Sequence, residues 1–102
     1  MAQARAEQMA DNERVRITVW SFHPGDSTGQ HRHGLDYVVV PVTGGSFEIT
    51  SQTGEVSRMT QELGVPYFRT AGAVHDVTNA TDLDAVFVEI ELKEQASPQV
   101  DR

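Results

Sequence analysis

A chain of 102 residues, 38% hydrophobic and 23% charged, has the composition of a globular domain and is long enough for one core but not two. Fifteen acidic residues against eight basic ones give a net charge of -7, which leaves no basic patch for nucleic acid or an anionic membrane and reads as a solubility feature. There is no cysteine, so disulfides, thiolate metal sites, iron–sulfur clusters and a cysteine nucleophile are excluded, and imidazole is left as the strong metal ligand.

No apolar run approaches the ~20 residues of a membrane span. The polar start, Met1 to Glu13, has no apolar signal-peptide core, and a cytoplasmic location is expected. Residues 1–13, rich in Ala, Gln and Glu, are predicted to be a short helix or a loose arm preceding a β-domain over 14–93. Arg14 to Phe22 is β-branched and aromatic and predicts a strand with apolar residues on both faces near Trp20. His23-Pro24-Gly25-Asp26 breaks it into a turn, and Ser27 to Gln30 is a loop.

Tyr37 to Val42 predicts a buried strand, ended by Thr43-Gly44-Gly45. Ser46 to Ser51 and Glu55 to Thr60 alternate around the hairpin turn Gln52-Thr53-Gly54. Short strands follow at Tyr67 to Arg69, at Val74 to Asn79 and at Ala85 to Leu92, with a frayed tail expected over 94–102. Strands separated by glycine-bearing turns every eight to twelve residues indicate an all-β sandwich or barrel. No stretch has the period of a long amphipathic helix.

His31 and His33 are two residues apart, and on an extended strand such residues share a face. With His75 from another strand they make a three-imidazole set suited to a divalent metal. Zinc, nickel, iron(II), manganese and copper all accept imidazole, and binding requires neutral rings, so affinity should fall as pH drops through ~6.5. His23, in its turn, is read as an exposed residue outside this set.

The spacing of these residues resembles the cupin family. The first cupin motif is a glycine, five residues, His-x-His, three or four residues, a glutamate, six residues and a glycine; here it reads Gly25, His31-Arg32-His33, Tyr37 and Gly44. The second is a glycine, five residues, Pro-x-Gly, two residues, a histidine, three residues and an asparagine; here it reads Gly64, Thr70-Ala71-Gly72, His75 and Asn79. The resemblance implies a small jelly-roll barrel, a divalent transition metal such as Fe, Mn, Ni or Zn, and pairing into a homodimer, partly through N-terminal strands.

Tyr37 occupies the slot of the usual glutamate ligand. A phenol with a pKa near ~10 is a poor ligand unless the metal ionises it. Tyr37 can instead hydrogen-bond a substrate oxygen, which makes it the candidate catalytic residue, or be a core tyrosine. Asp36 reaches the site only through a bulge, and Glu48, Glu89 and Glu91 are further carboxylates among which spacing does not choose. Three neutral imidazoles leave a divalent metal its full charge, which favours a small anionic ligand, a carboxylate or enolate. Arg58 or Arg69 can clamp such a carboxylate, and Val39, Phe47, Met59, Tyr67, Phe68 and Val88 are candidate lining.

The function expected from these residues is metal-dependent chemistry on a small molecule. The resemblance extends this to a dioxygenase-like or isomerase-like enzyme. The alternatives are a non-catalytic binding or sensing module and a structural jelly roll whose histidines hold nothing.

Overall fold

A computed structural model describes residues 2–93 of the chain, so the expected tail over 94–102 lies outside the described residues. The described residues form nine strands and no helix: β1 (Arg5–Asp11), β2 (Val15–Phe22), β3 (His31–Arg32), β4 (Asp36–Pro41), β5 (Gly45–Ser51), β6 (Val56–Gln61), β7 (Tyr67–Arg69), β8 (Val74–Asn79) and β9 (Ala85–Leu92). Residues 5–11 are therefore strand, where composition suggested a helix or a loose arm. Antiparallel pairing with β2, from Arg5 against Ser21 to Asp11 against Arg16, overrides the helix propensity of Ala, Gln and Glu.

The strands form two antiparallel sheets, β1-β2-β9-β4-β7 and β3-β8-β5-β6, which face each other as an all-β jelly-roll barrel. Side chains alternate across each sheet. In β9, Ala85, Phe87 and Glu89 point inward, while Val86, Val88 and Ile90 lie on the outer face. The inward aromatics Phe22, Phe47 and Phe87 pack ring to ring, with centroids 5.2 to 5.6 Å apart, and fill one end of the barrel. Along β8, Asn79 is opposite Phe47, Val77 opposite Ile49 and His75 opposite Ser51, so the histidine lies away from the aromatic plug.

The motif asparagine has a structural task. Asn79 is buried, its Nδ2 donates to the carbonyls of His23 and Leu83, and its Oδ1 accepts from the backbone and hydroxyl of Thr81. Two motif glycines are required by their backbones. Gly72 has φ 110 and its N–H donates to the carbonyl of His33 at 2.7 Å, which ties the loop before β8 to the metal-motif segment. Gly44 has φ 76, and a Cβ there would lie 3.0 Å from the Gln61 carbonyl and the Leu63 nitrogen.

Gly44→Ala is expected to lower stability by roughly 1–3 kcal/mol, since both strain and backbone contact oppose it. Gly34→Ala, with an ordinary φ and open space around the new methyl, should change it by less than about 1 kcal/mol. Urea unfolding of the two variants beside the wild type measures the difference.

Candidate metal centre and ligand cavity

His31 on β3 is directly opposite His75 on β8. The pairing continues past the end of β3, where the His33 N–H donates to the Ala73 carbonyl at 2.9 Å. This holds His33 in the extended conformation that returns its ring to the face used by His31. The three side chains converge. The Nε2 atoms of His31 and His33 are 3.0 Å apart, and those of His33 and His75 are 3.1 Å apart.

These spacings fit a cation. Three ligands at about 2.1 Å from a metal, set at right angles, are about 3.0 Å from one another. The protons also fit. His31 Nδ1 lies 2.9 Å from the carbonyl of Gly29, which can only accept, so Nδ1 carries the proton and Nε2 presents a lone pair. A proton on His33 Nε2 can satisfy only one of its two neighbours, so neutral rings leave lone pairs facing each other. A divalent cation at their meeting point removes that repulsion. No acidic side chain joins the three histidines in this cluster among the described residues.

Burial favours the neutral form of two of the rings, His33 and His75. His33 is 7% exposed, and burial, followed by the neighbouring His31 and His75, lowers its pKa to about 4. Burial likewise lowers that of His75. Neutral imidazole is the form a metal needs. Tyr37 lies flat against His33, with ring centroids 4.0 Å apart, and burial raises its pKa to about 12, so it remains a protonated hydrogen-bond donor.

The structure separates the carboxylates that the sequence left open. Asp36 accepts from the Ala71 N–H at 2.8 Å and serves the fold. Glu48 pairs with Arg58 at 3.1 Å on the outer face of β5 and β6, which also removes Arg58 from the site. Glu91 is held by Arg16 at 2.8 Å. Glu89 alone of the four is buried beside the histidines. Its Oε1 faces the Trp20 Nε1–H at 3.4 Å and its Oε2 lies 3.8 Å from His33 Nε2. Burial raises its pKa from 4.5 to about 7, so with His33 neutral this contact is not an ion pair.

The histidines line a cavity of about 250 Å³ together with Tyr37, Val39, Phe47, Met59, Tyr67, Glu89 and others. Among the described residues, Arg69 is the one arginine or lysine on that lining. It sits on β7 opposite Tyr37, its guanidinium 4.5 Å from the centre of the Tyr67 ring. Two expected lining residues are not there. Phe68 is half exposed, and Val88, paired with Val19 and Val40, lies on the outer face with it, because each sits one residue out of phase with the inward set. Gln61 and Thr28 line the cavity but were missed. For Gln61 the signal was present, since it lies two residues beyond Met59 on the same strand face.

In the metal-free protein two titrations oppose each other. Glu89, raised to about 7, stabilises the fold below pH 4.5, and that stability is lost as pH rises to about 7. His33, lowered to about 4, stabilises it above 6.5, and that stability is lost as pH falls toward 4. Glu89→Gln is therefore expected to raise metal-free stability above pH 7, by up to about 3 kcal/mol, and to expose a steeper loss toward acid. Unfolding curves between pH 4 and 8 test this; an unchanged profile contradicts it.

Comparison with known proteins agrees with this architecture. No protein-family model matches the chain. Over 91 residues it is 45% identical to the beta-alanine degradation protein BauB of Pseudomonas aeruginosa, spanning 89% of this chain and 95% of that protein. The crystal structure of a cupin domain from Bordetella pertussis superposes with a TM-score of 0.87 at 44% identity, over 91% of this chain and 96% of that one. An RmlC-like cupin with a double-stranded β-helix fold from Methanocaldococcus jannaschii, 13% identical, shares the fold with a TM-score of 0.72, over 91% of this chain and 83% of that one. With a cupin relative 44% identical across nine-tenths of its length, this chain is a member of the cupin family.

Proposed function

We propose that this cupin is a metal-dependent enzyme that holds one divalent transition metal on His31, His33 and His75 and acts on a small carboxylate related to β-alanine. The observation that carries this reading is the meeting of three Nε2 atoms 3.0 and 3.1 Å apart on the wall of a small cavity that also holds one guanidinium. The class of substrate is supported by Arg69, by the size of the cavity and by the Pseudomonas relative, which is named a beta-alanine degradation protein.

When bound, a divalent transition metal supplies Lewis acidity and, for redox-active ions, access to oxygen chemistry. The other tasks belong to side chains. Arg69 attracts and orients the carboxylate. Tyr37, fixed against His33 and protonated, donates a hydrogen bond to a ligand oxygen. Glu89 can hold or give up a proton near neutral pH, and a nearby cation favours its ionised form, which tempers the positive charge of the centre. Val39, Phe47, Val77 and Phe87 make the surrounding wall apolar and strengthen these interactions.

Metal analysis of protein purified without a histidine tag tests the site. His75→Ala should lose most of the metal. Tyr37→Phe should keep it and lower ligand affinity or turnover by roughly tenfold. Arg69→Gln should keep it and weaken carboxylate binding by a similar factor. Screening Fe(II)-, Mn(II)-, Ni(II)- and Zn(II)-loaded protein against β-alanine and other three-carbon acids tests the substrate class. Unchanged metal in His75→Ala overturns the site, metal loss in Tyr37→Phe makes the tyrosine a ligand, and tight binding without turnover makes the protein a sensor.

A homodimer through the outer face of the larger sheet completes the reading. Val15, Ile17, Val19, Val38, Val40, Val86, Val88 and Ile90 share that face in register across β2, β9 and β4, and none is fully buried by the chain itself. A contiguous apolar sheet face of this kind suits a second copy, because one-sided sheets otherwise turn polar residues to water. Sedimentation equilibrium should give the mass of two chains, and Val88→Glu should give one, with an unchanged circular-dichroism spectrum.

A further inference from the structure

One carboxylate inside the barrel has no arginine or lysine to balance it among the described residues. Glu91 and Glu89 lie two residues apart on the same strand face, and their surroundings differ. Glu91 is held by Arg16 at 2.8 Å, whereas Glu89, 7% exposed, has only the His33 ring, 3.8 Å from its Oε2. Its two oxygens are also placed differently. Oε1 receives the Trp20 Nε1–H at 3.4 Å, a long hydrogen bond. Oε2 accepts no hydrogen bond among the described residues. It is not one of the enclosed side-chain atoms without a partner, which are Gln61 Oε1 and Asp76 Oδ1, so it keeps open surface. That surface belongs to space the imidazoles share. Glu89, His31 and His33 line the 250 Å³ cavity and also a second one of about 420 Å³, bounded by Arg16 of β2 and by Gly34 and Leu35 beyond β3.

Buried charges are paired or coordinate metals. The distance suits a metal. Two ligands each about 2.1 Å from one ion can be up to about 4.2 Å apart, and Oε2 lies 3.8 Å from His33 Nε2. As it stands the carboxylate is outside the three-histidine cluster, so it has to turn toward the ion. One long bond to Trp20 restrains that turn only weakly. No other carboxylate competes for the place. Tyr37 fills the glutamate slot of the histidine motif, flat against His33, and Asp36, Glu48 and Glu91 are held by other partners.

We propose that Glu89, arriving from β9 and not from the histidine motif, is a fourth protein ligand to the metal. This rests on the reading above that His31, His33 and His75 hold a divalent ion, and adds a carboxylate to that set. The consequence is a choice among metals. A carboxylate oxygen is a harder ligand than imidazole, so Glu89 favours Mn(II) more than it favours Zn(II). A carboxylate acting only as a nearby charge would attract every divalent ion alike.

Competition titrations of metal-free full-length protein with Mn(II) and Zn(II) test the proposal. In Glu89→Gln, checked for folding by circular dichroism, Mn(II) affinity should fall by at least about tenfold and Zn(II) affinity by clearly less. Glu89→Asp keeps the charge and draws the oxygens back by one methylene, and it should also weaken Mn(II). The visible absorption of Co(II)-loaded protein reports the ligands on the ion, and it should change in both variants. Equal losses of the two metals in Glu89→Gln, Mn(II) affinity retained in Glu89→Asp, or an unaltered Co(II) spectrum would each reveal a neighbouring charge and not a ligand. Any of these overturns the role of Glu89 and leaves the three-histidine centre standing. A wild type that takes up neither metal overturns both.

Discussion

The structure depends on three imidazole nitrogens being brought to one point. That requires His31 to face His75 across β3 and β8, and it requires His33, beyond the end of β3, to stay in the ladder through Ala73. A slip of one residue would turn the rings to the opposite face. The backbone around the site is accordingly over-determined. Gly72 bonds back to His33, Thr28 donates its backbone to Val77, and the Gly29 carbonyl sets the tautomer of His31. The metal motif is a short strand, and these loop contacts supply the rigidity that two residues of strand cannot.

Burial does two further things at this point. It drives His33 and His75 toward their neutral, metal-binding form, and it drives Glu89 toward protonation. Among the described residues, Arg69 is the one arginine or lysine on the cavity wall. A divalent ion would reverse that balance, favour the carboxylate of Glu89 and add to the attraction that Arg69 exerts on an anion. The apolar walls make each of these effects larger than it would be in water.

The barrel also divides its two faces by task. Inward positions carry the aromatic plug and the cavity wall. Outward positions of the larger sheet carry Val and Ile in nearly every row, a pattern that the smaller sheet, with its Glu48–Arg58 pair, does not share. The apolar character read on both sides of the Trp20 strand thus has two causes, a core on one side and an unpartnered sheet face on the other.

Much of this was legible in the residues. Residue pattern located seven of the nine strands closely, all but β1 and the two-residue β3, and the two gapped histidine motifs named the cluster, the barrel and the family. Local pattern failed where the deciding interaction was distant. Residues 5–11 have no strand pattern of their own and are drawn into β1 by β2. The choice among Asp36, Glu48, Glu89 and Glu91 could not be made from spacing, because which carboxylate reaches the histidines depends on which strand lies beside β4. Cross-strand partners make that choice: the Ala71 N–H holds Asp36, Arg58 holds Glu48 and Arg16 holds Glu91, which leaves Glu89 beside His33. By itself, then, the sequence determined most of the strands and the candidate metal-ligand residue types, since both follow from short-range periodicity and side-chain chemistry. Tertiary structure decided the neighbours of those residues, Glu89, Gln61 and Arg69, because strands remote in the chain meet only when the sheets close.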